Sequence, residues 1–173
     1  TVTLPATLSA GVLVIAPDEE IFRVTRELLG MLCPVLYACD SEEAMLILQQ
    51  QEIAVVLADV ENHQIGLSSL LKLLKQETPQ ILTIVTTKKA DSELVIELIN
   101  QAQVFRILSK PINVSLLKEY IHAALQRYLS YKQAPKLLSN QPVQTLPKVR
   151  ESKMGLHILD GLKALRGKWF GAS

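Results

Sequence analysis

The sequence predicts an α/β protein built on a doubly wound, five-stranded parallel sheet, followed by a C-terminal tail. Three observations predict it. Apolar runs alternate five times with stretches of helical periodicity between Gly11 and Lys132. The runs are apolar at consecutive positions, so both faces of the sheet must be covered, as in parallel sheets with right-handed crossovers. The chain is 173 residues long and 49% hydrophobic, enough for one sizeable core and an appendage.

Gly11–Ala16 is the first strand run. Asp18–Gly30 follows as a helix with Ile21, Val24, Leu28 and Leu29 on one face and Asp18 as its cap. Pro34–Ala38 is a second strand, and Ser41–Gln51 a helix with Ser41 at its N-cap and Glu42 and Glu43 in the first turn, where carboxylates favour the dipole. Ile53–Ala58 is a third strand, Gly66–Lys75 a helix, Ile81–Thr86 a fourth strand, Asp91–Gln101 a helix and Val104–Ser109 a fifth strand. The last helix runs from about Asn113 to Lys132 and buries Leu116, Leu117, Tyr120, Ile121, Ala124, Leu125 and Tyr128.

No apolar run reaches the roughly 20 residues of a membrane span. Thr1–Ala10 has no basic region ahead of an apolar stretch, so no signal peptide is expected and a soluble, cytoplasmic location is. Cys33 and Cys39 read as reduced thiols, since no second pair supplies metal-ligand spacing. The net charge of +1 hides an asymmetry: residues 1–131 carry 10 Lys/Arg and 15 Asp/Glu, a net −5, whereas residues 132–173 carry 8 and 2, a net +6. An acidic globule on a basic tail suggests two functions, or a tail that docks on something acidic.

In a doubly wound sheet the functional crevice lies at the carboxyl ends of the strands. The third strand ends in Asp59, the fourth in Thr86-Thr87 and the fifth in Ser109-Lys110-Pro111. Each alone reads as a loop or cap residue. Together, a carboxylate, a hydroxyl and an ammonium on three strand ends suit a small anion: the aspartate can accept a phosphoryl group as nucleophile, and Thr87 and Lys110 can hold its oxygens.

From Gly11 to about Tyr131 the chain resembles the CheY-like receiver domain of bacterial two-component response regulators. VVLAD (Val55–Asp59) resembles the phosphoacceptor strand, and Gly66-Leu67 with Leu70 and Leu71 the opening of the third helix. ILTIVTTKKAD (Ile81–Asp91) places Thr87 at the switch hydroxyl, and VFRILSKP (Val104–Pro111) places Phe105 at the switch aromatic and Lys110 at the family's lysine. The resemblance implies a flavodoxin-like sheet of order 2-1-3-4-5, and composition and spacing divide the chain into an N-terminal extension (1–10), the receiver-like domain (11–132), a linker (133–152) and a basic amphipathic segment (153–173). It further implies phosphate acceptance on Asp59 from a sensor histidine kinase or phosphotransfer protein. The output would be protein contacts, with a downstream partner or in a homodimer, through the fourth helix, fifth strand and fifth helix.

One departure bears on that role. Receivers usually end the first strand in two adjacent acids that bind Mg²⁺, and ungapped alignment puts Ala16 and Pro17 there. Asp18 and Glu19 come later; their first reading is helix capping, and Asp18 is a weak second candidate for the metal. The remaining metal candidates are the Asp59 carboxylate and the backbone carbonyl of Glu61, so any Mg²⁺ site is expected to be weak. His63 reads as a solvated loop residue before it reads as an acid or base. Without a metal, Lys110 is expected to pair with Asp59. The alternative to a phosphorylated receiver is therefore a pseudo-receiver, a phosphorylation-independent docking module.

A nucleotide-using enzyme would need a Gly-rich turn after the first strand, where this chain has Ala16-Pro17-Asp18-Glu19-Glu20, so no enzymatic activity is expected. In the tail, Pro135, Pro142 and Pro147 mark a linker, and Met154, Ile158, Leu162, Leu165 and Trp169 recur at helical spacing among basic residues. The segment is too short for a DNA-binding domain. Partner docking, contact with an anionic membrane and folding back on the globule all suit it.

Overall fold

A computed structural model of the chain describes residues 2–61 and 66–139. The described chain runs β1 (Gly11–Ile15), α1 (Glu20–Leu29), β2 (Val35–Ala38), α2 (Ser41–Gln50), β3 (Ile53–Asp59), α3 (Leu67–Glu77), β4 (Leu82–Thr87), α4 (Glu93–Gln101), β5 (Arg106–Ser109), α5 (Val114–Gln133) and α6 (Lys136–Ser139). All strand pairs are parallel, in the order β2-β1-β3-β4-β5.

The continuous apolar strands explain the layering. In β1, β3 and β4 every residue is buried, and alternate side chains go to opposite faces. Leu13, Ile15, Val56, Ala58 and Val85 join the core under α2, α3 and α4. Val12, Val14, Val55, Leu57, Ile84 and Leu108 join the core under α1 and α5, which adds Leu117, Ile121, Ala124, Leu125 and Tyr128. Leu4 and Leu8 pack against this second core, and Leu8 N–H donates to the Leu32 carbonyl at 2.6 Å, so the N-terminal extension lies on the domain.

Several element ends differ from the sequence expectation. α2 is capped by Asp40, whose carboxylate accepts from Glu43 N–H at 2.8 Å, while Ser41 is a buried first-turn residue. Aspartate and serine are comparable caps, and adjacent ones compete. α1 starts at Glu20 with no side-chain cap on its N-cap residue Glu19; Asp18 instead accepts from Glu20 N–H at 3.0 Å. α4 starts at Glu93 behind Ser92, and β5 is shorter than expected, starting at Arg106. Leu116 and Tyr120 are half-buried, and Tyr131 joins the buried face of α5. Gly66 precedes α3 with φ 94°, and a Cβ there would lie 2.9 Å from Ser41 Oγ, so the turn and the close approach both need glycine. α6 forms where proline-marked linker was expected. His63 and the segment from residue 140 onward lie outside the described residues.

Candidate functional site

The sheet register brings the strand-end residues together. Asp59 is the register partner of Thr86 on β4, and Thr87 that of Ser109 on β5. Lys110 therefore starts beside the end of β4, where its N–H donates to the Thr87 carbonyl at 2.9 Å, and its side chain crosses β4 to Asp59. Lys110 Nζ donates to Asp59 Oδ2 at 2.6 Å, with Asp59 5% and Lys110 20% exposed. Asp59 Oδ1 accepts from Glu61 N–H at 3.1 Å. Both carboxylate oxygens are thus engaged by donors of this chain.

The rim above the carboxylate is tied down as well. Val60 N–H donates to the Thr86 carbonyl at 3.1 Å, and the Glu61 carboxylate accepts from Lys88 N–H. The loops after β3 and β4 are therefore joined directly. Thr87 is 4% exposed, and its hydroxyl accepts from Lys89 N–H at 3.1 Å. Phe105, just ahead of β5, is half-buried; the Arg106 guanidinium lies 4.3 Å from its ring centroid and Arg127 lies 6.0 Å from it. Arg106 also lies 5.9 Å from the Tyr120 ring, so the candidate switch aromatic sits under two cations.

At the end of β1, Ala16 is 1% exposed, and its carbonyl accepts from the Tyr37 hydroxyl at 2.8 Å. Glu19 pairs with Arg23 at 3.3 Å, and Asp18 holds the first N–H of α1, as described above. These residues do not fit Mg²⁺. That ion needs oxygen ligands in near-octahedral array and takes one or two carboxylates. The Asp59 carboxylate already has an ammonium and an N–H on its two oxygens, and no group of three His, Cys, Asp or Glu among the described residues could hold a metal.

Sequence reasoning missed three features. Thr86 Oγ1 is fully buried with no hydrogen-bond partner among the described residues. Strand alternation places Thr86 on the same sheet face as Ile84, Leu57 and Asp59, and the Thr-Thr pair was the readable signal, since a buried strand must turn one of two consecutive hydroxyls to each face. Glu97 on α4 is ion-paired with Lys72 on α3. At the opposite pole, Glu52 Oε1 accepts from Tyr128 Oη at 2.7 Å and from Lys132 Nζ at 2.6 Å.

A family model for the response regulator receiver domain matches residues 12–122, and the chain belongs to that family. A search of curated proteins finds no match. Among solved structures, the signal receiver domain of an HD domain-containing protein from Pseudomonas fluorescens Pf-5 is 25% identical with a TM-score of 0.65, over 71% of this chain and 99% of that one. A response regulator receiver domain protein from Clostridium thermocellum is 27% identical with a TM-score of 0.60, over 70% and 98%. A structure described as adenylate cyclase from Rhodopirellula baltica is 21% identical with a TM-score of 0.66, over 78% and 100%, and shares the fold. The fold is that of CheY-like receivers, a family that typically binds Mg²⁺ at an acid pocket; in this chain β1 runs directly into Ala16 and Pro17. No helix among the described residues is long and apolar enough to cross a membrane.

Proposed function

We propose that this receiver domain is a non-enzymatic, cytoplasmic docking module that signals through protein contacts without Mg²⁺-promoted phosphorylation of Asp59. One observation carries the reading: Lys110 Nζ and Glu61 N–H already occupy both oxygens of Asp59, while Ala16 and Pro17 contribute no carboxylate. Phosphoryl transfer depends on positive charge placed on the transferring oxygens, and metal ions usually supply much of it. Among the described residues the cation on Asp59 is Lys110, and in the resting state it is paired with the carboxylate. The contact surface is the α4–β5–α5 face, where Ile96 and Ile99 are exposed and Arg106 covers Phe105.

A second reading keeps Asp59 as a phosphoacceptor supplied by a sensor histidine kinase or phosphotransfer protein. It is favoured by the placement of Asp59, Thr87 and Lys110 on three adjacent strand ends. An Asp59 oxygen would attack phosphorus as the bond to the donor breaks, with Lys110 and the Thr87 hydroxyl on the phosphoryl oxygens. Incubation with acetyl phosphate, with and without Mg²⁺, followed by intact-mass measurement separates the two. No adduct is expected. A Mg²⁺-dependent adduct that is lost in Asp59→Asn would establish the second reading.

A further inference from the structure

α5 is longer than the sheet it covers. Its 20 residues span about 30 Å, whereas β3, at 7 residues the longest strand, spans about 23 Å. Glu52, the residue ahead of β3, meets Tyr128 and Lys132, so the helix is level with the strand starts there and runs on past them. Its late residues are nevertheless covered: Tyr128 is 1% and Tyr131 4% exposed. Both lie beyond residue 122, where the match to the receiver family ends, and residues 2–10 lie ahead of residue 12, where it begins. The two stretches outside the match share one core. Leu4, Leu8 and Ala10 belong with Tyr128, Tyr131 and Leu138 to the cluster under α1 and α5.

Glu52 ties the two stretches to each other. Its carbonyl accepts from Gly11 N–H at 2.8 Å, where residues 2–10 enter β1. Its carboxylate accepts from Tyr128 Oη at 2.7 Å and from Lys132 Nζ at 2.6 Å, and Ser9 is a further hydrogen-bond partner. Residues 2–10 form no helix or strand; Leu4 and Leu8 are half-buried, while residues 5–7 and 9 are exposed. Leu8 N–H reaches the Leu32 carbonyl at 2.6 Å. A segment with so few buried contacts opens locally while the rest of a domain stays folded. We propose that residues 2–10 form a detachable strap that, anchored on Glu52, holds down the last turns of α5 and α6. Its release frees the helix end that leads into residues 140–173. The coupling runs in both directions, because linked equilibria are reciprocal.

The test is amide exchange of the full chain, followed residue by residue by NMR, in wild type, Ser9→Ala, Leu8→Ala and Lys132→Met. Ser9 and Lys132 are exposed, so those two substitutions leave the fold in place. Ser9→Ala should speed exchange at Tyr131 and Ala134 roughly two- to threefold, the scale of one exposed hydrogen bond, and Leu8→Ala should speed it further. Lys132→Met should speed exchange of Leu8 N–H by a similar factor. Thr78 and Ala102, whose N–H groups close the ends of α3 and α4, should keep their wild-type rates. Unchanged rates at Tyr131 and Ala134 in both strap variants overturn the proposal. Equal acceleration at Thr78 and Ala102 also overturns it, since the effect would then be a general loosening. An effect of the strap on the helix without the reverse effect of Lys132→Met on Leu8 overturns the coupling.

Discussion

Lys110 Nζ and Asp59 Oδ2 lie 2.6 Å apart although 51 residues separate them in sequence, and the carboxylate is 5% exposed while the lysine is 20% exposed. Two flanking strand ends supply the pair and a third, β4, lies between them, so the bridge clamps the carboxyl edge of the sheet. A charge this buried is tolerable only when it is paired.

The first prediction follows from that asymmetry of burial. Lys110→Met leaves Asp59 buried with one N–H donor, and should cost about 2–3 kcal/mol, below the range for a fully buried pair because Lys110 itself is partly solvated. Lys118→Met, on an exposed position of α5, should stay within about 0.5 kcal/mol of wild type. Urea denaturation measures both. Asp59→Asn combined with Lys110→Met should recover most of the loss, since the uncompensated charge is then gone; a double variant as unstable as Lys110→Met alone would rule out the charge as the cause.

Thr86 makes the opposite prediction. Its hydroxyl is fully buried without a partner among the described residues, beside the apolar Leu108 and Ile84. Thr86→Val keeps the shape and removes the desolvated polar group, so stability should rise by about 1 kcal/mol. Thr87→Val removes the acceptor for Lys89 N–H and should lower stability by about 0.5–1 kcal/mol. Thermal melts of the two single variants should therefore move in opposite directions.

The contrast between these neighbours marks what a sequence reader can see. The layered fold was legible because β1, β3 and β4 are apolar at consecutive positions, which leaves a parallel sheet covered on both faces as the main way to bury them. Asp59, Thr87 and Lys110 were legible because each interrupts or ends such a run. What the residues alone did not disclose depends on distances across the fold. The Glu52–Tyr128–Lys132 cluster joins residues 76 and 80 positions apart, and the Lys72–Glu97 bridge joins residues 25 positions apart. Caps were misplaced by one residue where two good capping residues stand side by side, as at Asp40 and Ser41.

The Glu52 cluster predicts a pH dependence. Burial alone would raise this carboxyl, but hydrogen bonds from Lys132 and Tyr128 and the Lys132 charge hold it below its ordinary 4.5. A depressed folded-state value means the contribution is present above the unfolded value and is lost as pH falls through the folded one. Stability of wild type should therefore drop more than that of Glu52→Gln as pH is lowered below about 4.5. Glu52 and Lys132 are both more than a third exposed, so solvent screening limits the difference to about 0.5 kcal/mol. Denaturation series at pH 6 and pH 3, carried out on both proteins, measure it; parallel losses would mean that Glu52 is not held by the cluster in solution.

The last prediction concerns assembly. On α4 and α5 Glu93 and Glu119 are exposed while Glu97 is held by Lys72, and a two-fold dimer is expected to set Glu93 against Arg106 of the second copy. Self-complementary patches favour two-fold dimers, and each pair in such a dimer occurs twice. Two exposed ion pairs contribute about 1–2 kcal/mol together, so Arg106→Glu should weaken dimerisation by roughly tenfold. Because the proposed function does not use phosphate, the dimer should be present in untreated protein and weakened by salt. Arg106→Glu with Glu93→Arg should restore it, since the swap rebuilds both pairs with reversed sign. Sedimentation of wild type, the single variant and the swap, each with and without acetyl phosphate and Mg²⁺, measures all of this. A chain that dimerises only after the phosphodonor and Mg²⁺ are added would return Asp59 to the role of phosphoacceptor. A swap variant that stays monomeric while wild type dimerises would place the interface elsewhere on the domain.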